Sequence, residues 1–176
     1  RKPVRQFSVG NGANPQDIAF ASPTKAYVPR YDRPGLLIVN PATGDSTKAV
    51  DLSAFADADG VPEMAAAFVV GNRVYVTCQR LDRKARFAPT DKSVVAVIDA
   101  LADTVMDLDP GKAGVQGIDL ALKNPASAAL RGGRIFIACV GSFSDFKDGG
   151  IEVVDTAQNR SLGAGITEAA LGGNVS

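Results

Sequence analysis

Three charged runs mark where this chain could do chemistry. Asp57-Ala58-Asp59-Gly60, with Glu63 close behind, alternates carboxylates and a glycine as calcium loops do. A complete loop needs more oxygen ligands at fixed spacing, ending in a bidentate glutamate, and Pro62 interrupts the run. A solvated turn is the favoured reading. Ser144, Asp145, Asp148 and Glu152 form a weaker acidic group, broken by Lys147. The third run, Arg80, Arg83, Lys84 and Arg86, could clamp an anion or a partner's acidic surface. Asp82 and Asp91 dilute it, so a solvated loop accounts for it.

What is missing narrows the chemistry further. The sequence has no histidine, which removes the commonest general base and the commonest zinc, copper and haem ligand. Neither a Ser-His-Asp nor a Cys-His site can be assembled from these residues. Cys78 and Cys139 are too few for a disulfide framework and form no C-x-x-C pair. Gly10-Asn11-Gly12 and Gly132-Gly133 lack the strand, helix and Lys-Ser/Thr context of a phosphate loop. No catalytic, cofactor-binding or metal-ligating residue is therefore assigned, and no cofactor. Basic and acidic residues balance at 19 each, which argues against a nucleic-acid partner. No apolar run is long enough for a transmembrane helix, and the first residues are not expected to be a signal peptide, since they lack its basic-then-apolar pattern.

The elements that must position these residues are repeated ones. An apolar strand with a central aromatic occurs as Lys25-Ala26-Tyr27-Val28, Arg73-Val74-Tyr75-Val76 and Arg134-Ile135-Phe136-Ile137. Each is followed by a strand ending in Asn or Asp: Leu37-Ile38-Val39-Asn40, Ala96-Val97-Ile98-Asp99 and Glu152-Val153-Val154-Asp155. Apolar stretches precede the aromatic strands at Ile18-Ala19-Phe20, Ala67-Phe68-Val69-Val70 and Ala128-Ala129-Leu130, each introduced by a proline. Turns such as Asn40-Pro41-Ala42-Thr43-Gly44 lead to fourth strands at 47–52, 104–108 and, more weakly, near Ser161-Leu162.

Four short strands per unit, separated by turns, describe a β-propeller blade. The expected fold is all-β, with blades of four antiparallel strands over 14–53, 61–109 and 124–163. Residues 1–10 read as the last strand of a preceding blade, and 169–176 as the first strand of a following one. Three units do not close a propeller. The expected partners are the remaining blades of a longer, seven- or eight-bladed chain, or a second copy.

Val74-Tyr75-Val76-Thr77, then Val97-Ile98-Asp99 and Thr104-Val105, resembles the YVTN-type β-propeller repeat. Ala26-Tyr27-Val28-Pro29 with Ile38-Val39-Asn40, and Ile135-Phe136-Ile137-Ala138 with Val153-Val154-Asp155-Thr156, are looser copies. Where that family has asparagine after the threonine, this chain has Cys78, with Cys139 and Arg30 in the matching places. Matching places on adjacent blades lie too far apart for a disulfide except near the axis, so two packed, reduced thiols are expected.

The resemblance implies an extracytoplasmic setting: periplasmic, cell-surface or lipoprotein-like. The function expected from it is a non-catalytic binding or scaffold propeller, presenting long loops to a protein or ligand. The alternative is a segment of a propeller oxidoreductase whose active-site residues lie in other blades. Tyr27, Tyr75 and Phe136 read as core between blades. Phe87, Phe143 and Phe146, in long polar loops, read as a candidate contact patch.

Overall fold

Runs of valine, isoleucine and alanine bounded by turn residues make strands here and leave almost no helix. The computed structural model describes residues 5–145 and 147–175. Its first sheet is a meander of β1 (Ala19–Ser22), β2 (Lys25–Val28), β3 (Gly35–Val39) and β4 (Ser46–Asp51). The second begins with β5 (Met64–Val70) and β6 (Arg73–Cys78). A small hairpin of β7 (Leu81–Asp82) and β8 (Ala88–Pro89) interrupts it, and β9 (Val94–Asp99) and β10 (Thr104–Val105) complete it. β11 (Ile118–Asp119) pairs with Val94 and Val95 of β9, beyond the reach of β10. The third sheet is β12 (Pro125–Arg131), β13 (Arg134–Cys139), β14 (Gly150–Asp155) and β15 (Arg160–Thr167), followed by the single helical turn α1 (Glu168–Leu171). All pairings are antiparallel.

The sheets stack face to face with their first strands side by side, β1 against β5 and β5 against β12. Alternation along the aromatic strand divides its side chains between two neighbours. In β6, Val74, Val76 and Cys78 join the core shared with the first sheet, while Tyr75 joins the core shared with the third. Ile135, Ile137 and Cys139 of β13 likewise face back towards the second sheet. Both cysteines are free and buried, and burial pushes the Cys78 thiol up to about 12 and raises that of Cys139.

The strand-ending Asn or Asp has a local cause. Asn40 Oδ1 accepts the Ala42 N–H, Asp99 Oδ1 those of Leu101 and Ala102, and Asp155 Oδ1 those of Ala157 and Gln158. Each of these turns closes on a positive-φ residue, Gly44, Asp103 or Asn159, types that tolerate the left-handed region. The aromatic strand then uses the next sheet's turn as a latch. Tyr27 donates to Asp103 Oδ1 (2.5 Å) and sits 3.3 Å from Ala100 O, and the Tyr75 hydroxyl meets Thr156 O (2.8 Å) and the Asn159 amide (2.7 Å). Burial raises both tyrosines' pKa, and Asp103 adds to the effect on Tyr27. In the third copy Phe136 has no hydroxyl and is 37% exposed.

Three expectations are corrected at the ends and edges. Residues 5–10 form no strand; Val4 and the residues before it lie outside the described residues. Phe7 and Val9 instead pack on Ala26, Val28, Leu37 and Val39, covering the first sheet's outer face. Where a new strand was expected to begin, α1 ends in a left-handed Gly172, and residues 173–175 have no strand. The fourth strand of the third sheet, expected to be weak near Ser161-Leu162, spans eight residues, because bulges at Gly163 and Gly165 let a glycine-rich segment keep pairing.

Removing the latch hydroxyls should cost unequal amounts. Lys25 still reaches Ala100 O and Asp103 when Tyr27 becomes Phe, so that change should cost about 0.5–1 kcal/mol. Tyr75→Phe removes the buried hydroxyl that links Thr156 O to the Asn159 amide and should cost about 1–2 kcal/mol, both measured by urea unfolding.

Candidate functional site

A left-handed residue stands before the first strand of every sheet: Asn14 (φ 50°), Glu63 (φ 48°) and Asn124 (φ 58°). It turns the incoming chain back onto the residues that follow the aromatic strand. Tyr31 N–H donates to Asn14 O and Asp32 N–H to Ala13 O; Gln79 donates to Glu63 O and Arg80 to Pro62 O; Val140 donates to Asn124 O and Gly141 to Lys123 O. This triple repeat brings the loop between sheets against the loop between second and third strands, at one end of the stack. Asparagine suits the left-handed region; glutamate there costs about 1 kcal/mol. The exception is Glu63.

Its side chain explains the exception. Glu63 is wholly buried, with Oε2 accepting the Leu81 N–H (3.0 Å) and Oε1 accepting Arg83 Nε (2.8 Å). Arg83 extends the array across sheets, with Nη1 on Asp32 Oδ1 (2.7 Å), Nη2 on Tyr31 O (3.1 Å) and Nε 3.4 Å from Asp59 Oδ2. Its guanidinium also lies over the rings of Tyr31 and Phe87, at 5.5 and 6.0 Å from their centroids. Burial raises the Glu63 pKa despite the opposing hydrogen bonds from Leu81 and Arg83.

The acidic and basic runs, read separately in the sequence, meet here. Asp57 Oδ1 accepts the Asp59 N–H and Asp59 Oδ1 the Val61 N–H, so these carboxylates build the turn between sheets. Asp82 Oδ1 caps the short 3₁₀ turn Arg83–Ala85 through Lys84 and Ala85 N–H. Arg80 is tied to the loop's far end, with Nη1 on Lys92 O (2.9 Å) and its own carbonyl taking the Thr90 N–H. Between the two loops lies an open cavity of about 950 Å³, with Ala56 and Ala58 among its lining residues. That volume is in the range of small-ligand sites.

The remaining candidates scatter. Asp148 caps Ser142 N–H, and Asp145 caps Lys147 N–H. Glu152 is buried in β14, bound to Ala121 and Leu122 N–H and to Ser161, so the second acidic group is structural. Ser144 and Arg86 are exposed. Phe87 and Phe143 are 40% and 57% exposed on loops of different sheets, and Phe146 lies outside the described residues. No group of three or more His, Cys, Asp or Glu suited to a metal ion occurs among the described residues. Among them, no helix is long and apolar enough to cross a membrane. Tyr31 and Asp32 went unread as site residues, although they occupy the places of Gln79 and Arg80 in the first copy of the repeat.

Stacked four-stranded meanders with their first strands adjacent define a propeller-type, all-β fold. That fold is similar to a chain of Kuenenia stuttgartiensis hydrazine synthase, a β-propeller protein, with a TM-score of 0.54 and 16% identity over 87% of this chain and 36% of that one. The chain thus spans little more than a third of that relative. Dihydro-heme d1 dehydrogenase NirN in complex with DHE aligns with 86% of this chain and 37% of its own at 17% identity, with a TM-score of 0.34, too low to bear on the fold. No protein-family model matches the sequence, and no curated protein is detectably similar to it.

Glu63→Ala should cost about 2–3 kcal/mol, since Leu81 N–H and one side of Arg83 lose their acceptor. Glu63→Gln keeps one acceptor and should cost about 1 kcal/mol. Because the folded pKa of Glu63 is raised, its contribution is fully present below its ordinary value of 4.5 and is lost as pH rises through the raised one. The gap between wild type and Glu63→Gln should therefore narrow as pH rises through that window, as read by urea unfolding.

Proposed function

We propose that this chain is a non-catalytic binding segment of a YVTN-type propeller, whose recognition surface is the rim holding the Glu63–Arg83 array. The observation that carries this reading is the cavity between the 56–60 turn and the 80–91 loop. The ion pair between Arg83 and the buried Glu63, with the left-handed backbone of Glu63, holds its walls in place. Strain retained at such a position suits a binding surface better than a loop of no consequence. On this reading the three sheets are blades of a larger propeller of seven or eight, completed by further chain or a second copy, in an extracytoplasmic protein. Support for the setting comes from the repeat's resemblance alone.

The alternative is a segment of a propeller oxidoreductase with its active site on the axis, in blades outside this chain. The enzyme name of hydrazine synthase, the structurally similar protein, favours it, and fold likeness carries function only by analogy.

Amide NMR of the 15N-labelled chain, screened against mixed short peptides and small metabolite-like molecules, separates the two. The binding reading expects shifts within 56–60 and 80–91. Shifts centred on β1, β5 and β12, the adjacent first strands that would line the axis of a closed propeller, would overturn it.

A further inference from the structure

We propose that the outer face of the first sheet docks a strand carrying a basic residue and an aromatic two places apart. Residues 5–9 fill that face within the chain, and the third sheet of a second copy displaces them. The inference rests on the reading of these sheets as blades to be completed, and not on the rim cavity. Within the stack, each of the first two aromatic strands offers such a pair to the next sheet's turn. Lys25 and Tyr27 reach Ala100 O and Asp103, and Arg73 and Tyr75 reach Asn159. Arg5 and Phe7 have the same spacing and meet the first sheet's turn. Arg5 Nη1 donates to Thr43 O (2.8 Å). Phe7 packs so closely on Gly44 that a β-carbon there would stand 3.2 Å from the Phe7 Cβ. Gly44 holds the place of Asp103 and Asn159, four residues past the strand-ending Asn or Asp.

The apolar contacts repeat as well. Phe7 and Val9 lie on Ala26, Val28, Leu37 and Val39. The counterparts of these four in the second sheet, Val74, Val76, Ala96 and Ile98, share a core with Tyr27. Residues 5–9 thus sit where the stack places an aromatic strand. Two arginine contacts hold them, Arg5 to Thr43 O and Arg30 to Val9 O, without strand pairing, so their release is a local event. The open counterpart is at the other end of the stack. Ile135, Ile137 and Cys139 face back, so register and alternation gather Ala129, Phe136, Ile151, Val153 and Ile166 on the third sheet's outer face. Phe136 and Ile166 are 37% and 39% exposed. Arg134, two places before Phe136, is exposed too, and its guanidinium has no partner among the described residues. Phe136 brings no hydroxyl, and Gly44 offers no side chain to accept one, whereas both latched pairs have hydroxyl and acceptor. This double omission fits the third sheet to the first sheet's turn, which a second copy presents head to tail. Two copies closing on each other bring six sheets, within the roughly four to eight blades of closed propellers.

Sedimentation equilibrium of the 176-residue chain and its variants is the test. Arg5→Ser/Phe7→Ser frees the docking face, so the dimer's dissociation constant should fall at least roughly tenfold below that of wild type. A plug seated most of the time weakens the apparent affinity in that proportion. Phe7→Ala, which keeps the Arg5 contact, should give a smaller fall of about threefold, and it carries the test if the double variant unfolds. Adding Phe136→Asp to either should undo the gain. A variant that is folded by circular dichroism and associates no better than wild type would overturn the second copy as occupant. Association that survives Phe136→Asp would overturn it too, as unspecific adhesion of an uncovered face. Neither result would touch the rim reading, which the amide shifts at 56–60 and 80–91 decide separately.

Discussion

Everything at the rim depends on one backbone constraint, the left-handed residue that starts each sheet. Asn14, Glu63 and Asn124 each reverse the chain so that two carbonyls, their own and the preceding one, receive the N–H groups just past the aromatic strand. That pair of hydrogen bonds sets the height at which the following loop leaves the sheet. It also sets which side chains meet across neighbouring sheets. Asparagine tolerates the conformation through its short polar side chain. Glutamate has no such advantage, so its retention in the second copy is offset by what the carboxylate does for Leu81 and Arg83.

The opposite end of the stack is held by a different device built from the same repeat. Tyr27 and Tyr75 carry their hydroxyls into the next sheet's turn, while their rings fill the core between sheets. Lys25 and the Tyr27 hydroxyl, against the desolvation that burial imposes, hold the Asp103 carboxyl below its usual range. The tyrosine latch and the left-handed junction thus pin each pair of sheets at two ends. Between them the apolar strands are buried on both faces, as Val74 to Cys78 show. Loops at the rim can then vary in length without disturbing the stack, which is where the 80–92 excursion sits.

Much of the fold was legible because it is periodic. Tyr75 and its flanking valines, and the Asp99 turn that follows, announce a strand and a tight reversal by local chemistry alone. The candidate site was half legible. Asp57, Asp59, Glu63, Arg80 and Arg83 all stood out by charge, but charge along a chain does not say which loops face each other. Asp32 carried no local signal, because its role exists only through contact with Arg83 some fifty residues away. The ends misled for a related reason: Phe7 and Val9 have strand-like composition, yet they serve by covering apolar surface without pairing. At Glu168 the Thr167 cap and Gly172 favour a helical turn over a strand.

Added to the left-handed backbone that Asn14 and Asn124 share, the Glu63 carboxylate is what holds Leu81 and Arg83 in the second copy. Native-state hydrogen exchange of Glu63→Asn tests it most directly, since asparagine suits the left-handed conformation and shortens the side chain. Gln79 N–H, which donates to the residue 63 carbonyl, serves as the internal control, and Leu81 N–H, which donates to the carboxylate, is the reporter. The account predicts that Leu81 loses roughly tenfold or more of its protection while Gln79 keeps its own. Equal protection of Leu81 in both proteins, or equal loss at both amides, would contradict it.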